Sequence, residues 1–220
     1  MEMLWFGNWG RPVIGFPTSG GGFRELEDFG LVRALAGKIE AGEIQLCCVD
    51  SVDRESWYNN RAHPADRVRR HDQFDRYVRD EVLPFVAHRA QRDDVVLYGA
   101  SFGAYHAMNL ACRYPDRIGR AIAFSGVFDV HRFLHGYWDD LCYFHCPTAY
   151  VPNMDGAMAG RLSNVDLVVA TGEHDHLAHN TREFTGMLAS RGVPVVGEIW
   201  QGQFGHDWPF WSQHLPRFLP

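Results

Sequence analysis

Lysine is nearly missing from this chain: Lys38 is the only one in 220 residues, and no arginine cluster replaces the rest. The formal net charge is −6 and the sequence pI about 6.0. Without a basic patch, neither nucleic acid nor an anionic membrane surface is an expected partner. No run approaches the roughly 20 apolar residues of a spanning helix. The opening MEMLWFGNWGRP has no basic n-region and no long apolar h-region, so no export signal is expected and the cytoplasm is the expected compartment. Cysteines are few and odd in number, five, which favours reduced thiols over a disulfide framework. Cys47 and Cys48, inside the apolar run IQLCCVD, read as buried structural thiols. Cys142 and Cys146 flank His145 in CYFHC, but a structural zinc needs a second ligand pair, and no other Cys/His pair has finger-like spacing. No metal and no cofactor are expected. The phosphate-loop sequence G-K-[ST] is also missing, so the glycine-rich PTSGGG at 17–22 is not read as a nucleotide cradle.

What remains is core-building material. With 46% hydrophobic and 14% aromatic residues the chain can fill one domain over 1–220. Short apolar runs bounded by turn residues predict strands at 12–16, 44–49, 94–99, 120–126, 165–172 and 195–200. Their lack of polar alternation suits a mostly parallel sheet covered on both faces. Helices are predicted between them, over 29–41, 66–92, 102–114, 180–191 and 209–218. The fold class is therefore α/β, with helices on both sides of the sheet. Residues 127–164 break the rhythm; their aromatic load predicts a packed, cap-like insertion.

VLYGASFGAYHAM, at 96–108, places Ser101 between Gly99 and Gly103, after a predicted strand and before a predicted helix. Strand, G-x-S-x-G, helix is the setting of a nucleophile on a sharp turn, where flanking side chains would collide. Ala104, Ala107 and Ala111 give the helix a small face for close packing. A serine hydroxyl needs a base, and the base needs an orienting group. In this architecture the order is Ser, then an acid, then His. The strand ending at Gly172 leads into EHDH, offering Glu173 and Asp175; Asp129, after the preceding strand, is an alternative place for the acid. Asp207, beside the histidine, reads as structural. His206 alone satisfies the order as base, while His174, His176 and His179 crowd the acid loop. The oxyanion of a tetrahedral intermediate requires backbone N–H donors, expected from Phe102 and from the 17–22 loop.

These residues resemble the esterase family of α/β-hydrolase fold that groups S-formylglutathione hydrolases, feruloyl esterases, enterochelin esterases and mycolyltransferases. The matching segments are GASFGAYHAMNLACRYPDRIGRAIAFSG, TGEHDHLAHNTREFTGMLASRGVPV and the closing GHDWPFW. The resemblance implies a carboxylic-ester or thioester hydrolase with Ser101 as nucleophile, Asp175 as acid in preference to Glu173, and His206 as base. It departs from the family where many members carry His-Gly or Asp-Gly and this chain reads Pro17-Thr18. Aligned there, the second oxyanion donor is the N–H of Ser19, with Gly20 as fallback.

Trp57, Tyr58, Tyr137, Trp138, Tyr143 and Trp208 are candidates for the walls of an apolar substrate pocket. Two other classes compete. EHDHLAH suggests a metal-dependent hydrolase through His174, His176 and His179, although it does not match H-E-x-x-H. A hydrolase fold kept as a non-catalytic binding module is the other.

Overall fold

The computed structural model describes residues 1–203 and 205–220. Seven strands form one sheet: β1 Met3–Phe6, β2 Arg11–Phe16, β3 Ile44–Val49, β4 Val96–Ala100, β5 Arg120–Phe124, β6 Asp166–Gly172 and β7 Val196–Trp200. Their order is β1-β3-β2-β4-β5-β6-β7, parallel throughout except where β1 meets β3. This is the α/β-hydrolase arrangement expected from the sequence. β1 is an addition. Its four half-buried residues, MLWF, are too short to carry a periodic signal.

The central strands are buried on both sides because successive side chains point to opposite faces. Val96 and Tyr98 of β4 join a core with Leu26, Leu31, Phe210 and Trp211. Leu97, between them, joins the other core with Phe74, Val78 and Met108. Each such side chain stabilises the fold by about 1.5–3 kcal/mol through its burial.

Two predicted helices are interrupted. In place of one helix over 29–41 stand three short turns, Glu25–Asp28, Leu31–Ala34 and Ala36–Glu40, the first two separated by Gly30 at φ +84°. The long helix runs Pro64–Tyr77, widens into a π turn at Val78–Val82, and resumes at Leu83–Ala90. Pro84 has no N–H to donate, and its ring crowds the carbonyl one turn earlier; the wide turn just before it relieves both. The insertion at 127–164 is a chain of short helices, with Asp139 and Asp155 capping two of them. Phe133, Cys142 and Cys146 pack from it against Trp57, Phe102 and Tyr105.

The register brings the strand ends level. Phe16 pairs with Gly99, Ala100 with Phe124, Phe124 with Ala170, and Gly172 with Trp200. The loops after β2, β4, β5, β6 and β7 therefore share the carboxyl edge of the sheet, where open α/β sheets build their sites.

Candidate active site

Ser101 sits between the end of β4 and the helix Phe102–Arg113, at φ +54° and ψ −117°. Positive φ on a side-chain-bearing residue costs on the order of 1–3 kcal/mol, so the surrounding structure must enforce it. Two glycines make that possible. A Cβ on Gly99 would lie 2.1 Å from the carbonyl of Gly103, and a Cβ on Gly103 would lie 2.6 Å from the Pro17 carbonyl oxygen. The Ser101 N–H is held by the Phe124 carbonyl at 2.9 Å. The helix begins at Phe102, leaving the first N–H groups pointing out of its positive end.

Asp175 lies just beyond β6 and is buried, its side chain wholly inaccessible. It accepts from the Leu177 N–H at 2.8 Å, from Thr171 Oγ1 at 2.8 Å, and from His206 Nδ1 at 3.1 Å to each oxygen. Burial alone would raise its pKa. The hydrogen bonds from His206, the Leu177 N–H and Thr171 outweigh that and hold it at about 2. With Nδ1 on the carboxylate, His206 Nε2 has no hydrogen-bond partner among the described residues, and His206 lines the cleft with Ser101, Ser19, Trp208 and Trp211. No Ser101–His206 hydrogen bond is formed among the described residues. The cleft has a volume of about 440 Å³.

The other acids have separate duties. Glu173 accepts from the Gly202 N–H and Asp207 caps the helix Trp208–His214. Asp129 binds His131 and Thr148.

Sequence reasoning missed the support beneath His206. Ser125, at φ +51° after β5, donates through Oγ to the Gly205 carbonyl and accepts from Trp211 Nε1 at 3.0 Å. Trp211 Nε1 also donates to the Gly205 carbonyl at 3.1 Å. The residue preceding His206 is thus clamped from β5 and from the last helix. The only signal was a Ser-Gly pair following a buried strand.

The 17–22 loop separates the two candidate donors. The Gly20 N–H points to Asp53 Oδ2 at 3.4 Å, and the buried Asp53 also holds His106 Nε2 at 2.9 Å. Thr18 N–H is taken by Glu25, and Gly21 N–H by the Thr18 carbonyl. Among the described residues the Ser19 N–H makes no internal hydrogen bond, and Ser19 lines the cleft.

The aromatic candidates scatter. Trp208 lines the cleft, its ring stacked on Phe29 at 5.4 Å. Tyr58 stands behind it, hydroxyl on Ser19 Oγ at 2.7 Å and ring against Phe102. Trp57 is not a pocket wall: it is fully buried among His71, Tyr105 and Phe133. Tyr143 lines a different depression with Arg113 and Tyr114, at the far end of the Ser101 helix. Tyr137 bonds Asp139 and packs on His63, and Trp138 is an exposed neighbour of His131, its ring stacked on the imidazole. None of residues 127–164 lines the cleft; the insertion packs beside it.

The histidine and cysteine clusters also separate. His145 turns to Asp72, Asn109 and Arg113, while Cys146 faces Thr148 and His131, so CYFHC does not converge. Of the three histidines in EHDHLAH, His176 is the one whose ring reaches His206 and Asp175. His179 lies exposed on the helix Ala178–Ser190. No helix among the described residues is long and apolar enough to cross a membrane.

Comparison with known proteins places this geometry in context. The family model described as "Putative esterase" matches residues 18–220. Among solved structures, a ferulic acid esterase superposes with a TM-score of 0.74 at 18% identity, covering 96% of this chain and 84% of its own. An S-formylglutathione hydrolase from Agrobacterium tumefaciens gives 0.72 at 14% identity, covering 96% and 82%. The fluorophosphonate-binding serine hydrolase F of Staphylococcus aureus gives 0.69 at 20% identity, again covering 96% and 82%. At such identities the likeness is one of fold. No curated protein matches the chain in sequence.

Proposed function

The chain belongs to the esterase family, and from that premise we propose that it cleaves carboxylic esters or thioesters through an acyl-enzyme formed on Ser101. His206 Nε2 takes the Ser101 hydroxyl proton as Oγ attacks the carbonyl carbon, and returns it to the departing alcohol or thiol. Asp175, ionised through the whole physiological range by its hydrogen bonds, fixes the Nδ1–H tautomer and stabilises the imidazolium that forms. Water then enters and gives a proton to His206 as its oxygen attacks the acyl carbon; His206 passes that proton to Ser101 Oγ as the acyl–oxygen bond breaks and the acid leaves. The developing oxyanion is met by the N–H groups of Phe102 and Ser19, the latter favoured over Gly20 because Asp53 already engages Gly20.

The observation that carries this reading is the strained Ser101 turn opening on the same cleft as a histidine seated on a buried carboxylate. The cleft is shallow, and past the Phe29–Trp208 stack it adjoins a cavity of about 760 Å³ that shares Phe29, Trp208 and Pro209 as lining. A small acyl group at Ser101, with the remainder of the substrate leaning on this stack, fits those dimensions.

Hydrolysis of p-nitrophenyl acetate is the test. Turnover should be lost in Ser101→Ala and unchanged by EDTA, and a fluorophosphonate should label wild type at Ser101. EDTA-sensitive turnover that survives Ser101→Ala would overturn the serine mechanism. Failure of both turnover and labelling would leave a binding module.

A further inference from the structure

Asp175 has a second histidine. His176 Nδ1 lies 3.4 Å from Asp175 Oδ1, and its ring centroid lies 4.5 Å from that of His206. Nδ1 of His206 and Nδ1 of His176 therefore converge on one carboxylate, and the three groups offer ligand atoms all within 4.8 Å of one another. In a tetrahedral zinc site with bonds near 2.0–2.1 Å, neighbouring ligand atoms lie about 3.3 Å apart. The separations of 3.1 Å and 3.4 Å from Oδ1 match that edge. His176 is 70% exposed and His206 26%, with the carboxylate behind them, so an ion arriving from solvent meets the imidazoles first and completes its shell with water.

We propose that Asp175, His176 and His206 form a binding site for zinc or a similar divalent transition metal, and that occupancy switches the esterase off. The binding half stands on geometry alone; the inhibitory half rests on His206 being the base. A neutral imidazole carries one proton. When its Nδ1 lone pair goes to the metal, that proton sits on Nε2, and no lone pair is left there to accept the proton of Ser101. The tautomer changes without net proton release, and Asp175 exchanges its bond to His206 for one to the metal. Hard oxygen-seeking cations do not suit two imidazoles, so magnesium and calcium should have no effect.

Two other clusters bear on specificity. His71, Asp75 and His145 also converge, but Arg113 already occupies that space, 2.8 Å from Asp75 and 3.0 Å from His145 Nδ1. Asp129, His131 and Cys146 form an outer group that could take a second ion.

The experiment titrates zinc chloride into wild type during ester turnover, and into Ser101→Ala by calorimetry, each with and without His176→Asn. The expected result is wild-type inhibition reversed by EDTA, with His176→Asn keeping basal turnover and needing at least ~10-fold more zinc. In the Ser101→Ala background the same substitution should remove one binding event, and His131→Asn should leave inhibition as in wild type. No inhibition-range binding to Ser101→Ala, equal binding after His176→Asn, or inhibition abolished by His131→Asn instead would overturn the site. Binding that depends on His176 yet leaves turnover intact would uphold the site and overturn His206 as the base.

Discussion

Replacing Gly103 by alanine tests whether the Ser101 turn and the 17–22 loop, the proposed source of an oxyanion donor, are mechanically one unit. The new Cβ would stand 2.6 Å from the Pro17 carbonyl oxygen and 2.7 Å from that of Phe16, both backbone atoms that cannot rotate away. Ordinary contact begins near 3.4 Å, so the end of β2 and the helix Phe102–Arg113 must part by about 0.8 Å. Overpacking of this kind costs roughly 1–3 kcal/mol, or about 2–12 °C in Tm for a chain of this size. The movement is transmitted along 17–19 to the Ser19 N–H. A misplacement near 1 Å can reduce turnover about 100-fold, and loss of one oxyanion donor costs a similar factor. Gly103→Ala is therefore expected to fold with a lowered Tm and to lose roughly 10–100-fold in kcat, with KM little changed. Gly186→Ala is the control. It sits in the exposed middle of the helix Ala178–Ser190 with nothing within 4 Å of the added methyl, and should gain about 0.5–1 kcal/mol with kcat intact. The assay pairs p-nitrophenyl acetate kinetics with thermal unfolding. Wild-type kcat in a folded Gly103→Ala protein would refute the coupling, since the donors would then not depend on the β2–helix spacing.

Asp175→Asn should lower kcat by roughly 10³–10⁴-fold through the wrong histidine tautomer. It should also alter acid stability. A folded pKa of about 2 against an ordinary 3.8 makes the ionised form worth about 2 kcal/mol, present above the unfolded pKa and lost as pH falls from about 4 through 2. Urea unfolding across that window should show a shallower pH slope for Asp175→Asn than for wild type, and equal slopes would contradict the hydrogen-bond account. Ser125→Ala leaves the Gly205 carbonyl without one donor and Trp211 Nε1 without one acceptor, a cost of about 1–3 kcal/mol. If the clamp positions His206, kcat falls while KM holds; unchanged kinetics with a lowered Tm would reduce Ser125 to a packing role. His206→Ala should abolish turnover whereas His174→Ala and His179→Ala spare it, and inactivation by His179→Ala in a folded protein would move the base elsewhere.

What could be read from residues alone depended on how locally each demand is met. The turn at Ser101 imposes its requirement within five residues, and only glycine satisfies it at 99 and 103, so the requirement is written in composition. The β4 run is legible for the same reason: burial on both faces forbids polar alternation in the strand itself. Trp57 and Trp208 show the opposite case. Both are tryptophans with a second aromatic residue within two positions, Tyr58 and Phe210, and what makes one a core residue and the other part of the cleft wall is the company of distant elements. His71 and Tyr105 close over Trp57, while Phe29 meets one face of Trp208 and leaves it at the cleft. Ser125 was hidden because its partner is chosen by sheet register, with its N–H on the Ala170 carbonyl and its hydroxyl eighty residues onward at Gly205. The proposed preference for Ser19 over Gly20 has the same origin, since it rests on Asp53 engaging Gly20 from another loop. Backbone conformations that few residues tolerate leave a mark in the sequence, whereas hydrogen-bond partners that many residues could supply do not. The Ser101 turn is therefore the most legible part of this candidate site and the proposed oxyanion donor the least, although the two lie one backbone contact apart at Gly103 and Pro17.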